Sequence, residues 1–285
     1  MAIKPKTTLC SLLVLSLLLL NLHHNPVHGA PQVPCYFIFG DSLSDFGNNN
    51  NLLTLAKVNY RPYGIDFFSS IPTGRFSNGR NKIDIIAERL GYDSLIPTFA
   101  TASGREILKG VNYASAASGI RDETGKQAEL YNLGARKTAL FGVSPIGCTP
   151  YGISLNNKTN VSAPCSDNIN NAVQIFNDRL KTLVDELNRS LSGAKFIYIN
   201  TYEIGSSILS SPEFTVKNAS CCLSSSVTGT CIPLLPPCRN RGAHVYWDRI
   251  HFTEAAYSVI GERAYRAQTA LDVHPYDISH LVQRR

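Results

Sequence analysis

Two short runs at opposite ends of the sequence carry residues fit for chemistry. Near the start, the apolar run Val33–Phe39 gives way to Gly40-Asp41-Ser42-Leu43-Ser44-Asp45, which sets a serine on a glycine-containing turn. Near the end, Trp247-Asp248-Arg249-Ile250-His251 holds a carboxylate and an imidazole three positions apart. A serine hydroxyl is a poor nucleophile until a neighbouring base takes its proton. An aspartate beside a histidine fixes the ring tautomer and leaves the other nitrogen free to act as that base. Each motif alone has an ordinary structural reading: Ser42 caps a helix, or Asp248 caps a turn with His251 solvated beside it. Together they supply a nucleophile, a base and an orienting carboxylate, provided the fold brings positions 42, 248 and 251 together.

The elements that must do so alternate along the chain. Val33–Phe39, Val111–Ala114, Lys137–Val143 and Lys195–Asn200 are short apolar runs that read as strands, the first continuous enough to be covered on both faces. Between them lie helical patterns. Residues 81–90 place Ile83, Ile86, Ala87 and Leu90 on one face, with Ser77 or Asn78 as caps and Gly91 past the end. Residues 169–191 run apolar at Val173, Phe176, Leu180, Leu183 and Leu187, and a last helix covers 254–270 behind Thr253. This order predicts a single α/β domain with a mostly parallel sheet, whose ligand site lies beyond the C-terminal strand ends, where Ser42 falls. One link is tight: only Lys126–Gly134 remains for a crossover helix, near the minimum of about 10–12 residues.

Composition narrows the setting. Residues 1–29 read as a signal peptide, with Lys4 and Lys6 ahead of the apolar run Leu12–Leu20 and small residues Val27 and Gly29 before Ala30. That run is too short to cross a bilayer, which needs about 20 residues. Without the leader the balance is 25 Lys+Arg against 21 Asp+Glu, or +4 over residues 30–285. No basic stripe suits nucleic acid, and no later segment has transmembrane length. Four sequons, at Asn157, Asn160, Asn188 and Asn218, are candidate glycan acceptors of the secretory pathway. Seven cysteines follow the leader, and most should pair in an oxidising compartment, with one left over. Cys221, Cys222 and Cys231 fall in a Ser/Thr/Pro-rich stretch that reads as a disulfide-tied loop; its spacing lacks the paired C-x-x-C and clustered His of a zinc site.

The run FGDSLSDFGNNN (Phe39–Asn50) resembles the first block of the plant GDSL esterases and lipases, a branch of the SGNH hydrolases. NYRPYG (Asn59–Gly64), PTGRFSNGR (Pro72–Arg80), GVNYAS (Gly110–Ser115), KTALFGVSPIGC (Lys137–Cys148), NAVQIFNDRL (Asn171–Leu180) and DISHL (Asp277–Leu281) are similar to that family too. The resemblance implies a three-layer α/β/α domain with a flavodoxin-like sheet, and secreted hydrolysis of carboxylic esters without metal or organic cofactor by a monomer acting on a small-molecule or lipid ester. It implies Ser42 as nucleophile, His251 as base and Asp248 as its orienting carboxylate. The backbone N–H groups of Ser42 and Gly119 would then face the oxyanion. Activity should rise with pH as His251 loses its proton. Phe67, Phe68 and Ile71 are apolar loop residues suited to an acyl chain. A lectin-like reading would rest on Tyr60, Tyr63 and Trp247 standing exposed.

One block of that family is not found. Its third block ends a strand in Gly-x-Asn-Asp and supplies a third oxyanion donor, yet the only Asn-Asp pair here, Asn177-Asp178, sits in the long helical pattern. The resemblance thus implies an internal deletion near residues 125–131 and one central strand too few, between the strand ending at Gly40 and the one ending near Val143. Either those strands re-pair or they leave backbone groups unpaired. A catalytically impaired glycoprotein that keeps only the scaffold is the rival expectation. Phe252 stands where the family usually has proline after the histidine, which alters the stiffness of that turn.

Overall fold

The computed structural model describes residues 30–119, 130–155 and 165–284. The leader 1–29, the first four residues of the Lys126–Gly134 link and the sequons at Asn157 and Asn160 lie outside the described residues. Helices α1 (Lys82–Arg89), α2 (Pro150–Leu155), α3 (Asp167–Ser190), α4 (Thr201–Ser210), α5 (Glu254–Tyr265) and α6 (Ile278–Gln283) accompany strands β1 (Lys137–Phe141), β2 (Lys195–Ile199), β3 (Val216–Ser220), β4 (His244–Tyr246) and β5 (Val273–His274).

β1 pairs parallel with β2, and β2 pairs antiparallel with β5. The alternation along β2 builds the layers. Ile197 and Ile199 enter a core with Ile86 and Leu90 of α1, Ile204 and Ile208 of α4, Tyr257 and Ile260 of α5, and Ile278 and Leu281 of α6. Tyr198 points the other way, where its hydroxyl lies with Asn177 of α3 beside Gly142. Since successive side chains of a strand face opposite sides, α3 covers one face and α1, α4, α5 and α6 cover the second. Asn188 of α3 clamps Phe196 by accepting from its N–H (2.9 Å) and donating to its carbonyl (2.8 Å).

The N-terminal strands form a second piece. Tyr36 and Ile38 donate to the carbonyls of Lys109 and Val111, Tyr113 and Ser115 donate to those of Ile38 and Gly40, and Asn112 and Phe99 link this to Pro97. Val33–Phe39 and Val111–Ala114 are therefore extended and paired, but they meet as isolated bridges at Ile38, Asn112 and Thr98, not as long strands. Nor is the first run covered throughout: Phe37 is 44% and Phe39 42% exposed.

Among the described residues no backbone hydrogen bond joins the two pieces. The β1–β2 register, bounded by Lys195 N–H on Arg136 and Gly142 N–H on Ile199, turns the backbones of Lys137, Ala139 and Phe141 away from β2. Those groups, and the backbones of Phe37 and Phe39, have no hydrogen-bond partner among the described residues. Of the two expected outcomes, re-pairing has not occurred. Such groups would each lose about 1–3 kcal/mol if sealed from water, but half-exposed edges can bond to solvent. At the end of β1 a side chain closes the edge: Asn177 accepts from Val143 N–H (2.8 Å) and donates to its carbonyl (2.8 Å).

Several local expectations change. α1 is capped by Asn81, whose side chain accepts from Ile83 and Asp84 while Asp84 accepts from Asn81 N–H, so neither Ser77 nor Asn78 caps it. The buried stripe of α3 is Asn170, Val173, Asn177 and Val184; Leu183 is exposed, because a narrow three-stranded sheet offers little surface beneath it. α5, expected to be the last helix and to reach 270, ends at Tyr265 and is followed by α6. Disulfides join Cys148–Cys165, Cys221–Cys238 and Cys222–Cys231, and the unpaired thiol is the exposed Cys35. Among the described residues no helix is long and apolar enough to cross a membrane.

Candidate active site

The serine turn is held by its own polar side chains. Asp41 accepts from Leu43 N–H (2.9 Å), and Ser44 and Asp45 donate back to the Asp41 carbonyl. Buried Asp45 accepts from the N–H groups of Gly47 (2.7 Å), Asn48 (2.8 Å) and Ala116 (2.8 Å). Burial nonetheless raises its pKa, as those donors only partly offset desolvation. Asn48 donates to the carbonyls of Asn112 and Ala114, and Asn49 to those of Ala56 and Ala116, which ties the loop after Ser42 to the neighbouring strand. Gly47 adopts φ 115°, and a Cβ there would lie 2.2 Å from the Thr73 carbonyl oxygen, so only glycine fits this approach.

Beyond β4 the chain folds back on itself: Trp247 donates to the His251 carbonyl at 2.8 Å, and Asp248 Oδ1 accepts from the N–H groups of Ile250 and His251, both at 2.8 Å. This loop brings the distant positions together. His251 Nε2 lies 2.9 Å from Ser42 Oγ, and His251 Nδ1 lies 2.8 Å from Asp248 Oδ2. Asp248 and His251 are buried, so His251 is not the solvated loop residue of the ordinary reading. The Phe76 ring sits 4.7 Å from the imidazole and walls it off. Phe252 also lies in the core, stacked on Tyr246 at 5.4 Å, so packing steadies the turn where the ring of a proline would.

A further residue, not anticipated from the sequence, completes the chain. The Tyr63 hydroxyl donates to Asp248 Oδ2 at 2.7 Å and accepts from Cys231 N–H at 2.9 Å. Burial, then the charge of Asp248, pushes its pKa well above the ordinary value, so it remains a donor. Tyr63 and Trp247 are fully buried, which removes the basis of lectin-like stacking. Its presence in the run Asn59–Gly64 was the only signal available, since its partners lie 168 and 185 positions away.

The N–H groups of Ser42 and Gly119 donate to no acceptor among the described residues, and Gly119 is exposed. Of the apolar loop residues, Phe68 and Ile71 are exposed, whereas Phe67 is buried against the Arg75 guanidinium. Arg75 forms a buried two-pronged ion pair with Asp84 at 2.8 and 2.9 Å, anchoring α1 to the segment that carries Phe76.

A family model described as GDSL-like lipase/acylhydrolase matches residues 36–132 and 124–264. The chain belongs to this family. It is similar to the GDSL esterase/lipase At1g29670 of Arabidopsis thaliana, 40% identical over 341 aligned positions that cover 88% of this chain and 92% of the relative. The Arabidopsis GDSL esterase/lipase At4g18970 is 38% identical over 346 positions, covering 91% and 95%. Membership gives the three-layer α/β/α fold and the class of carboxylic ester hydrolase.

Proposed function

We propose that the chain is a secreted serine esterase working through an acyl-enzyme on Ser42. The observation that carries this reading is the unbroken chain Ser42–His251–Asp248, at 2.9 and 2.8 Å. Ser42 Oγ attacks the ester carbonyl as its proton passes to His251 Nε2, and the carbonyl π electrons move onto oxygen. The free N–H groups of Ser42 and Gly119 receive that oxyanion. Collapse breaks the bond to the alcohol, which leaves with the proton from His251. Water then repeats both steps and releases the acid. Exposed Phe68 and Ile71 suit an acyl chain, and the enzyme acts as a monomer. The leader, the sequons and three disulfides support secretion. Asn218 is exposed on β3 and suits a glycan, whereas the Asn188 amide is spent on Phe196.

The alignments support an internal deletion. With 88% of 285 residues, about 251, spread over 341 positions, about 90 positions have no counterpart here. The family model is also matched in two pieces that meet at 124–132, and the open sheet lies at the same place. These observations favour a second reading, a scaffold with reduced turnover. Loss of one oxyanion donor typically lowers turnover about 10²–10³-fold.

Hydrolysis of a short p-nitrophenyl ester by the secreted protein, beside Ser42→Ala, tests the first reading. Equal rates would end it. A fluorophosphonate that labels Ser42 without measurable turnover would select the second reading.

A further inference from the structure

Among the buried charges outside the mechanism is a lysine without a bonded carboxylate among the described residues. Lys82, in the first turn of α1, sends its amine beneath the serine turn, where it donates to the Leu43 carbonyl at 2.9 Å and to Ser44 Oγ at 3.2 Å. Leu43 follows the nucleophile directly and Ser44 is the next residue. The third N–H faces two rings, Phe141 of β1 and Tyr257 of α5, with centroids 5.7 and 5.8 Å from Nζ. No carboxylate bonds this amine among the described residues. Asp84 on the same helix is taken by Arg75, and Asp41 by Leu43 N–H. Phe141 ends the open edge of β1, so the amine stands between the two sheet pieces at the end that carries Ser42.

We propose that Lys82 is a positioning residue for the ester-hydrolysing site: its ammonium fixes the backbone that carries Ser42 and leaves a positive charge, without a bonded counter-ion, next to the place where the oxyanion forms. This rests on the acyl-enzyme reading above. A buried cation without a carboxylate is costly to hold, and a carbonyl, a hydroxyl and two ring faces offset that cost only in part. In a site that excludes water, a nearby charge acts on a developing anion far more strongly than it would in solution. It also offsets, through space, a donor set limited to two backbone N–H groups.

The role carries a pH signature. Burial lowers the Lys82 pKa to about 8, with the charge of Asp41 opposing the shift. The titratable groups that face it are Asp41 on the turn and Tyr257 on α5; burial pushes Tyr257 well above its ordinary range, so it holds its proton throughout. As pH rises through 8 the ammonium is lost, and activity falls with it. A side chain that only filled space would give no such limb.

The test is kcat and KM for a short p-nitrophenyl ester from pH 6 to 10, with fluorophosphonate labelling of Ser42, for wild type, Lys82→Met and Lys82→Arg. Wild type should show a descending limb near pH 8. Lys82→Met should lose about 10–100-fold in kcat at pH 7, keep KM within about twofold and lack the limb. Lys82→Arg, which keeps its charge to high pH, should recover part of the rate and remain flat to pH 10. If either variant fails to fold, the Nζ resonances of 15N-lysine-labelled wild type decide: one amine must titrate in step with the limb. Labelling of Ser42 with a flat wild-type profile, or a limb that persists in both variants, overturns the role of Lys82 alone. No labelling of wild type at any pH overturns the acyl-enzyme reading and this role with it.

Discussion

Tyr63→Phe removes one oxygen and leaves the ring packing intact. In the native protein that oxygen serves two buried partners, Asp248 Oδ2 at 2.7 Å and Cys231 N–H at 2.9 Å. A hydrogen bond to a carboxylate contributes about 1.5–3 kcal/mol, and a buried N–H left without an acceptor costs about 1–3 kcal/mol. Neither partner can turn to water, because Asp248 and Cys231 are both buried. The expected loss of stability is roughly 3 kcal/mol, which for a domain of this size lowers Tm by about 6–12 °C. Asp248 keeps the N–H bonds from Ile250 and His251, so the base remains oriented, though less firmly. The rate loss should thus be modest, about 3–30-fold, and should fall on kcat, because Tyr63 acts through Asp248 and meets no substrate. Thermal melts by circular dichroism and steady-state hydrolysis of a p-nitrophenyl ester measure the two effects. An unchanged melt together with unchanged kcat would refute the reasoning, as it would mean that neither bond is made.

Other expectations follow from single contacts. Asn177→Ala should free both backbone groups of Val143, lower stability by about 1–3 kcal/mol and speed amide exchange along β1, read by hydrogen–deuterium exchange. Burial pushes the Asp272 carboxyl up, but Arg263 and the N–H groups of Gln268 and Thr269 outweigh it and hold the pKa below the usual range. The stabilisation is therefore present at neutral pH and fades as pH falls below the ordinary carboxylate value of about 3.9 through the lowered one. Asp272→Asn should melt lower at pH 7 and converge with wild type in acid. If Asn218 carries a glycan, Asn218→Gln should remove one mass increment sensitive to glycosidase; an unchanged glycoform pattern would exclude that site.

What the sequence disclosed depended on how local each signal was. Ser42, Asp248 and His251 sit in short runs with fixed spacing, so they could be singled out before any geometry existed, and the structure brings the three side chains together. The runs that form β1 and β2 could be read as strands of a mostly parallel sheet, and the structure pairs them parallel. Tyr63 was misread as an exposed aromatic because nothing near it in the chain says that its hydroxyl meets a carboxylate 185 positions away. Lys82 was passed over for the opposite reason: a lysine in the first turn of an amphipathic helix ordinarily reaches solvent. The cap of α1 was placed too early since Ser77, Asn78 and Asn81 are all good capping types, and only the reciprocal bond with Asp84 selects the last. The break in the sheet was foreseeable in kind from the missing block, but its outcome depended on how closely the remaining strands could approach.

The bond from Cys231 to Tyr63 has a bearing on when the molecule becomes competent. Cys231 is held in place by its bridge to Cys222, so the last support of the Asp248 carboxylate is set by an oxidation and not by folding alone. Reduction of that bridge should therefore loosen the hold on the carboxylate, and reoxidation of the two thiols should restore it.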